Sequence, residues 1–177
     1  MSREIVTETP RLVLYRICPE DCADMFRWRR DEEVCRYMVS GAAQTPEELI
    51  PWLERQDPRS DERIVCVCHA REDGRYLGNV GMFYLSEEDT WSFAYAFCRE
   101  EWNRGYASEA TAAMMDYVRQ RFHAHRFSAE CARENVCSAR VIEKCGLVPV
   151  AEGAFVNRGT GREYASVCYR LEDIIKE

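Results

Sequence analysis

The chain has 177 residues, of which 46% are hydrophobic, and its formal net charge is -7. A chain of this length can bury roughly 70% of its unfolded surface, so one domain is expected. An acidic chain lacks the basic face that nucleic-acid binding normally requires, which disfavours that class of protein. No run of 18 apolar residues occurs in the sequence, so a membrane-spanning helix is not expected.

The first residues and the cysteines bear on the cellular compartment. Residues 1–8 are polar, carry charges of both signs and show no apolar run, so no secretory signal is expected and we predict a cytoplasmic protein. Because the cytosol keeps thiols reduced, the ten cysteines are expected to be free thiols, most of them small core residues. There is no Cys-x-x-Cys pair, and the histidines lack the spacing of a zinc site, so no metal is predicted.

The first part of the chain predicts a strand and three short helices. Residues 11–17 alternate as a strand that is buried on both faces. Pro19 then opens a helix that continues to about Arg30, with acidic residues in its first turn. A second helix is predicted over residues 32–38, and a third begins at residues 45–48.

An antiparallel meander is predicted in the middle of the chain. Its three strands are at residues 63–70, 75–85 and 90–98. The third strand places bulky aromatic side chains on one face and small side chains on the other. The aromatic residues are Trp91, Phe93, Tyr95 and Phe97. Either a thin ligand or a packed helix would fit the small face, and composition alone favours the helix.

The last part of the chain predicts two helices and three strands. Residues 105–122 have the apolar stripe of a helix. Asn135 is the expected N-cap of the next helix, and Gly146 ends it. The strands are predicted at residues 127–132, 148–157 and 162–171.

One segment, residues 97–107, passes from a strand through a glycine-containing loop into a helix. Gly105 lets the backbone approach a ligand, and the free amides of the first helical turn together with the helix dipole attract an anion such as pyrophosphate. Arg104 adds positive charge and Ser108 adds a hydroxyl. Taken alone, the pattern fits an ordinary helix start better, and the fingerprints of P-loop and dinucleotide-binding proteins are absent.

Two motifs resemble the GNAT acetyltransferase superfamily. The first motif is Trp102-Asn103-Arg104-Gly105-Tyr106-Ala107-Ser108-Glu109-Ala110. The second motif is Asn135-x-x-Ser138-x-x-Val141-Ile142-Glu143-Lys144-Cys145-Gly146-Leu147. Weaker likeness extends over nearly the whole chain, at residues 8–14, 28–38, 77–81 and 152–153. Within the superfamily the chain resembles the RimJ/RimL-type branch of ribosomal-protein N-terminal acetyltransferases.

The resemblance implies a fold and a reaction. The fold is α/β (α+β), a single domain over residues 1–177, with a mixed, mostly antiparallel twisted sheet of about seven strands flanked by helices. A splay is implied between the fourth and fifth strands, residues 90–98 and 127–132, and it takes the pantetheine arm of acetyl-CoA. The reaction is direct acetyl transfer from acetyl-CoA to a primary amine, either a protein N-terminus or a small molecule. No nucleic-acid or membrane partner is expected, and the oligomeric state stays open, a homodimer included.

The resemblance also implies which residues contact the cofactor. The cofactor contacts are Phe97, Arg99, Arg104, Gly105, Tyr106, Ala107, Ser108, Asn135 and Ser138. The small residues of the loop let backbone amides reach the pyrophosphate. Asn135 has a second role open to it as the helix N-cap, and the two roles are compatible.

The catalytic residues depart from the common family pattern. Ser92 stands where a base carboxylate is frequent, and Ile142 stands where an acid tyrosine is frequent. The resemblance to the RimJ/RimL-type branch implies that Ser138 protonates the leaving thiolate. The family resemblance also implies a base at Glu130, since a carboxylate five residues before the Asn has that role in some related N-terminal acetyltransferases. Solvent is the alternative base. From local sequence alone, Glu130 would be a solvated strand carboxylate and Ser138 a helix-start hydroxyl.

Other functions compete with this one. A non-catalytic acetyl-CoA-binding module would account for the missing carboxylate and tyrosine at Ser92 and Ile142. A nucleotide- or nucleic-acid-binding domain is disfavoured by the acidic charge and the absent motifs. The resemblance implies that the early helices and the last hairpin, about residues 28–52 and 155–162, line the acceptor pocket. Glutamates near this acceptor side indicate a cationic acceptor, although each one also fits a helix-start or solubility charge. They are Glu32, Glu33, Glu47 and Glu48.

Overall fold

The computed structural model describes residues 3–172, which contain eight strands and five α-helices. The strands are β1 (Ile5–Glu8), β2 (Leu12–Arg16), β3 (Arg63–Ala70), β4 (Tyr76–Leu85), β5 (Thr90–Phe97), β6 (Arg126–Ala132), β7 (Val148–Val156) and β8 (Glu163–Glu172). The helices are α1 (Cys22–Arg29), α2 (Glu32–Cys35), α3 (Ile50–Glu54), α4 (Tyr106–Phe122) and α5 (Val136–Lys144). Short 3-10 turns stand at Pro19–Asp21, Pro46–Leu49 and Arg99–Glu101.

All eight strands form one mixed sheet in the order β1-β2-β3-β4-β5-β6-β8-β7. The only parallel neighbours among the described strands are β5 and β6. The prediction of a mixed, mostly antiparallel sheet flanked by helices is therefore confirmed. The strand beyond the expected seven is β1, which pairs with β2 at one edge of the sheet. Its four residues, Ile-Val-Thr-Glu, are too few to show an alternating pattern from which to predict a strand.

The helices cover both faces of the sheet and create two apolar cores. The first core lies under α4 and α5 and includes Met114, Phe127 and Ile142. The second core lies under α1 to α3 and includes Trp28 and Leu53. The small face of β5 packs against helices at its far end, through Ala96 and through Cys98 just beyond the strand, which confirms the helix alternative there. Ala94 on the same face is exposed.

A buried hydrogen-bond group attaches α1 to the sheet. Trp28 Nε1 donates to Tyr76 Oη at 2.8 Å and to Asn79 Oδ1 at 3.0 Å. Asn79 Nδ2 donates in turn to the carbonyl oxygen of Cys66 at 3.4 Å. Because a buried polar group without a partner costs about 1–3 kcal/mol, these bonds fix the position of α1 relative to β3 and β4.

The second helix is shorter than its sequence pattern predicted. It ends at Cys35 instead of continuing through residue 38. Asp31 caps its start by accepting from the backbone amides of Glu33 and Val34 at 3.0 and 3.4 Å. Beyond Cys35 the chain forms a turn, in which Met38 N donates to the carbonyl of Cys35 at 3.0 Å. The residues after Cys35 therefore belong to a loop, which takes part in the candidate site described below.

Several of the cysteines lie in the two apolar cores. All ten cysteines are free, and burial raises the pKa of Cys66 to about 12, so that thiol stays protonated at neutral pH. Within residues 3–172 no helix has the length and apolar character needed to cross a membrane. The same residues contain no cluster of three or more side chains able to hold a metal ion.

We expect Met114→Ala to lower the free energy of unfolding by about 2–5 kcal/mol, as buried large-to-small substitutions do. Met114 is fully buried between α4 and the sheet, and its sulfur lies 3.8 Å from that of Cys66. Urea titration gives the free energy. The control is Val136→Ala on α5, where the side chain is 54% exposed and the change should stay within about 0.5 kcal/mol. Equal losses in the two variants would contradict the packing of α4 described here.

Candidate active site

A gap opens in the sheet between β5 and β6. Within the described residues the two strands pair at Trp91–Phe127 and Ser92–Ser128 alone. Beyond these pairs β5 continues to Phe97 and β6 to Ala132, so their facing backbone groups have no strand partner. This gap lies where the splay was predicted. It falls between the fifth and sixth strands because β1 adds one strand before them.

The gap connects the two faces of the sheet. Neighbouring residues in a strand point to opposite faces, so Glu130 and Cys131 on β6 face different sets of helices. Cys131 belongs to the core under α4 and α5, whereas Glu130 is exposed on the face that α1 to α3 cover. A ligand in the gap could therefore reach chemical groups on both faces.

The loop before α4 lies at the open end of the gap. Gly105 is the N-cap of α4 with φ of 79°, a backbone conformation that glycine adopts readily. Trp102 Nε1 donates to the carbonyl of Phe97 at 2.9 Å and so holds the loop against the end of β5. The first amides of a helix lack intrahelical partners and, with the helix dipole, attract an anion. Ser108 Oγ is already bonded to the carbonyl of Gly105 at 3.1 Å.

Arg11, in the turn before β2, holds the start of α4 in place. Its Nη1 donates to the carbonyl of Arg104 at 2.9 Å, and its Nε donates to Glu109 Oε2 at 2.6 Å. The guanidinium also lies over the Tyr106 ring, 4.7 Å from the ring centroid. Sequence reasoning did not include Arg11 or Glu109 among the site residues. The available signal was the family likeness of residues 8–14, which were not connected to the loop.

The other loop residues differ in how available they are to a ligand. Arg104 Nη1 lies 3.4 Å from Glu101 Oε2, and Arg99 Nε lies 3.1 Å from Asp31 Oδ2. Their side chains are 52% and 60% exposed, so these ion pairs are weak and each arginine can turn toward a bound anion. The Phe97 side chain is buried in the first core. A cofactor contact at that residue would have to come from its backbone.

Ser138 lies between the two separating strands on the side of α5. Its Oγ is 2.8 Å from Tyr95 Oη on β5, and its side chain lies beside the Cys131 thiol on β6. Asn135 Oδ1 accepts from the backbone amide of Ser138 at 3.1 Å, which confirms the predicted N-cap. Tyr95 was predicted only as one of the aromatic residues of its strand, and no local pattern linked it to Ser138.

Glu130 lies on the other face and does not meet Ser138. Ser166 on β8 donates a hydrogen bond to Glu130 Oε1. Gly153 on β7 is so close that a Cβ there would lie 3.3 Å from the same oxygen. Small neighbours therefore leave Glu130 accessible. The two predicted catalytic residues are close along the chain but separated by the sheet, with the gap between them.

The tip of the β7–β8 hairpin contacts the loop after α2. Asn157 is buried, and its Nδ2 donates to the carbonyls of Cys35 and Arg36 at 3.2 and 3.1 Å. Gly41 and Gly159 approach so closely that a Cβ on Gly41 would lie 2.8 Å from Gly159 Cα. The early helices and the last hairpin, which the resemblance implied as the acceptor side, are therefore in direct contact.

An aromatic cluster stands on the same face of the sheet as Glu130. The ring centroids of Tyr37 and Tyr164 are 5.2 Å apart, and those of Phe155 and Tyr164 are 5.8 Å apart. Arg162 and Arg36 already lie over the Tyr164 and Tyr37 rings, 4.6 and 5.8 Å from the ring centroids. The Glu130 carboxylate is therefore the group of this set that remains to attract an organic cation.

The four glutamates that indicated a cationic acceptor in the sequence, Glu32, Glu33, Glu47 and Glu48, are exposed on the surface. Glu33 Oε1 pairs with Arg36 Nη1 at 3.3 Å.

Comparison with protein families agrees with this geometry. Residues 11–148 match the family described as Acetyltransferase (GNAT) domain. The chain therefore belongs to the GNAT acetyltransferase family. Among curated proteins it is similar to the uncharacterized N-acetyltransferase YnaD of Bacillus subtilis (strain 168). The two are 26% identical over 139 residues, which cover 78% of this chain and 80% of YnaD.

Solved structures share the fold at low sequence identity. The ribosomal-protein-S5-alanine acetyltransferase of Vibrio fischeri is 16% identical with a TM-score of 0.79, over 97% of this chain and 98% of that one. The spermidine N-acetyltransferase of Vibrio cholerae, solved with CoA and spermine, is also 16% identical with a TM-score of 0.79. That match covers 93% of this chain and 97% of the other. At this identity the two matches establish the fold.

The Glu109 carboxylate should make stability depend on pH. Burial alone would raise the pKa of Glu109, but hydrogen bonds from Thr9 and Arg11 outweigh it and lower the pKa below 4.5. A lowered folded-state pKa gives stability that is complete above the unfolded pKa and is lost as pH falls through the folded one. Glu109→Gln should therefore cost about 1 kcal/mol at neutral pH and progressively less below about pH 4.

Urea titrations of both proteins at several pH values measure this difference. The matched control is Glu134→Gln, which removes the exposed ion pair with Arg162 at 3.2 Å. That change should stay within about 0.5 kcal/mol at every pH. A Glu109→Gln difference that does not vary between neutral and acidic pH would contradict the account of Glu109.

Proposed function

We propose that this GNAT protein transfers an acetyl group from acetyl-CoA directly to a primary amine, with both substrates bound at once. The observation that carries the proposal is the gap between β5 and β6. It has an anion-attracting helix start at its open end and a candidate base and hydrogen-bond donor on its two sides. A donor lying in the gap would meet Ser138 on one face, and an amine would approach from the face of Glu130.

The described residues fit acetyl-CoA at the loop before α4. Gly105 is exposed, and the nearest atom to a Cβ built there is Arg11 Nη2 at 3.4 Å, so the space above the loop is open. The amides at the start of α4 and the exposed Arg104 would receive the pyrophosphate. The unpaired backbone edges of β5 and β6 would receive the amide groups of the pantetheine arm. Acetyl-CoA supplies an activated thioester with a good leaving group.

Glu130 and Ser138 take different roles in the proposed chemistry. An ammonium is not a nucleophile until it loses a proton, and Glu130 can accept that proton directly or through water. Attack on the thioester then forms an oxyanion, which backbone amides along the unpaired edges can stabilise. When the carbon–sulfur bond breaks, its electron pair stays on sulfur. Ser138 donates a hydrogen bond to the resulting thiolate.

The Glu130 carboxylate favours an acceptor that is cationic in solution. The two solved structures that share the fold are named for different amines, a ribosomal-protein alanine and spermidine. The acceptor panel for this chain should therefore include N-terminal peptides, polyamines, amino acids and aminoglycosides. The RimJ/RimL-type branch remains part of the proposal, carried by the two sequence motifs and by the fold match to the S5-alanine enzyme.

A second candidate function is a module that binds acetyl-CoA without catalysis. Ser92 supplies no carboxylate. Ile142 is buried in the first core and has no ionisable group that could act as an acid. Cofactor binding with no thiol release from acetyl-CoA across the whole panel would favour the module. Thiol release with any one amine would exclude it.

The cellular location belongs to the same proposal. Ten free thiols fit a reducing compartment, so we propose that the protein acts in the cytoplasm. Its oligomeric state, a homodimer included, stays open.

Gly105→Ala should weaken acetyl-CoA binding by at least about tenfold, measured by calorimetric titration. The substitution forces a side chain into a positive-φ conformation and places a methyl group where the phosphates would approach. The matched control is Gly74→Ala, since Gly74 has φ of 71° and no atom within 4 Å of the added Cβ. This control carries the same backbone strain away from the loop. Equal affinities in the two variants would remove the pyrophosphate role from the loop.

Glu130→Gln should lower kcat by about 10²-fold or more, as loss of a general base does, while acetyl-CoA affinity stays nearly unchanged. Ser138→Ala should also act on kcat more than on binding. Thiol release with the best amine of the panel measures both variants. The control is Glu152→Gln on β7, an exposed carboxylate paired with Arg133, which should leave kcat unchanged. Near wild-type turnover in both active-site variants would overturn the two-residue assignment.

A further inference from the structure

Tyr95 connects the unpaired part of β5 to the start of α5. It stands three residues beyond Ser92, the last residue of β5 that pairs with β6. Its Oη lies 2.8 Å from Ser138 Oγ and 3.2 Å from the carbonyl oxygen of the same residue. The Ser138 side chain also lies beside the Cys131 thiol of β6. The serine hydroxyl is therefore near both edges of the gap and is bonded to the β5 edge.

Either hydroxyl can donate in the 2.8 Å contact between Tyr95 Oη and Ser138 Oγ. The surroundings of Tyr95 keep its phenol protonated, so the phenol is available as the donor. Its ring stacks on Phe93 with centroids 6.5 Å apart, and it packs against the first core. Burial, the largest cause, raises the pKa of Tyr95 well above 10, so its phenol keeps its proton at neutral pH. A serine near the start of a helix would otherwise be free to bond to backbone groups of its own turn. A phenol that donates to Ser138 Oγ leaves the serine hydrogen free for another acceptor.

We propose that Tyr95 is a positioning residue that acts through Ser138 on the leaving group. Tyr95 donates its phenolic hydrogen to Ser138 Oγ, and the Ser138 hydrogen is thereby directed into the gap, toward the sulfur of the acetyl donor. This inference rests on the proposed function and extends it to a strand residue that the sequence motifs do not contain.

The step balances without a further reactant. The carbon–sulfur bond of the tetrahedral intermediate breaks, and its electron pair moves to sulfur. The hydrogen bond from Ser138 stabilises the new thiolate while serine and tyrosine keep their protons. The acceptor nitrogen loses a proton as the amide forms, and that proton ends on the thiolate or in solvent. The products are the acetylated amine and the free thiol of CoA.

A test that needs no acceptor uses CoA itself. A hydrogen bond from Ser138 favours the thiolate form, so the pKa of the CoA thiol should be lower in the complex than in solution. Thiolate absorbance in the ultraviolet gives this pKa, and the complex with desulfo-CoA is the reference that subtracts the protein thiols. We expect the bound-thiol pKa to rise by about one unit in Tyr95→Phe, a tenfold loss of preference for the thiolate.

Matched variants separate this role from packing. Tyr95→Phe keeps the ring and removes only the hydroxyl, and its desulfo-CoA affinity should equal that of the wild type. Ser138→Ala should raise the bound-thiol pKa at least as far, and the double variant should add nothing to it. The control is Tyr84→Phe on β4, which removes a phenol that donates to Asp89 Oδ1 at 2.8 Å. It should leave the bound-thiol pKa unchanged.

The outcomes distinguish this inference from the proposed function. If wild-type protein binds neither CoA nor desulfo-CoA, the proposed function fails and the role of Tyr95 fails with it. If both ligands bind and the bound-thiol pKa is the same in wild type and Tyr95→Phe, the positioning role is overturned while the cofactor site stands. A pKa that rises in Ser138→Ala but not in Tyr95→Phe would leave Ser138 as a donor that needs no support from Tyr95.

Discussion

The separation of β5 from β6 is the constraint on which the rest of the site depends. β4 holds β5 through eight residue pairs, and β8 holds β6 through seven. The two strands share only two pairs with each other across the described sheet. Each half of the sheet is therefore internally well paired, and the junction between the halves is short. Backbone donors and acceptors that would be paired in a continuous sheet are left available to a ligand.

The alternation of side chains along a strand explains the division of the site. In β6 the side chains of Glu130 and Cys131 must face opposite sides, because successive residues of a strand do so. The Glu130 side has small neighbours and an aromatic cluster. The Cys131 side leads to Ser138 and the start of α5. A gap through the sheet is what would let one bound ligand reach groups on both faces.

The N-terminal segment stabilises the loop at the open end of the gap. Arg11 contacts Arg104, Tyr106 and Glu109, which lie more than 90 residues away in the chain. These contacts give the Glu109 carboxylate a hydrogen-bond partner at the start of α4, and they fix the backbone next to Gly105. The loop therefore has a defined shape that does not depend on a ligand. A preformed binding loop avoids part of the ordering cost that a flexible loop would add on binding.

The sequence by itself predicted most of the strands and helices and the glycine-containing loop before α4. Local periodicity and turn residues predicted β3 to the residue, and Gly105 and Asn135 were correctly placed at the starts of α4 and α5. These features depend on neighbouring residues, which a linear pattern contains. Only the tertiary structure brought Tyr95 to Ser138 and Arg11 to Glu109. It also placed Glu130 on one face of the sheet with Phe155 and Tyr164, because which side chains share a face follows from strand pairing between distant segments.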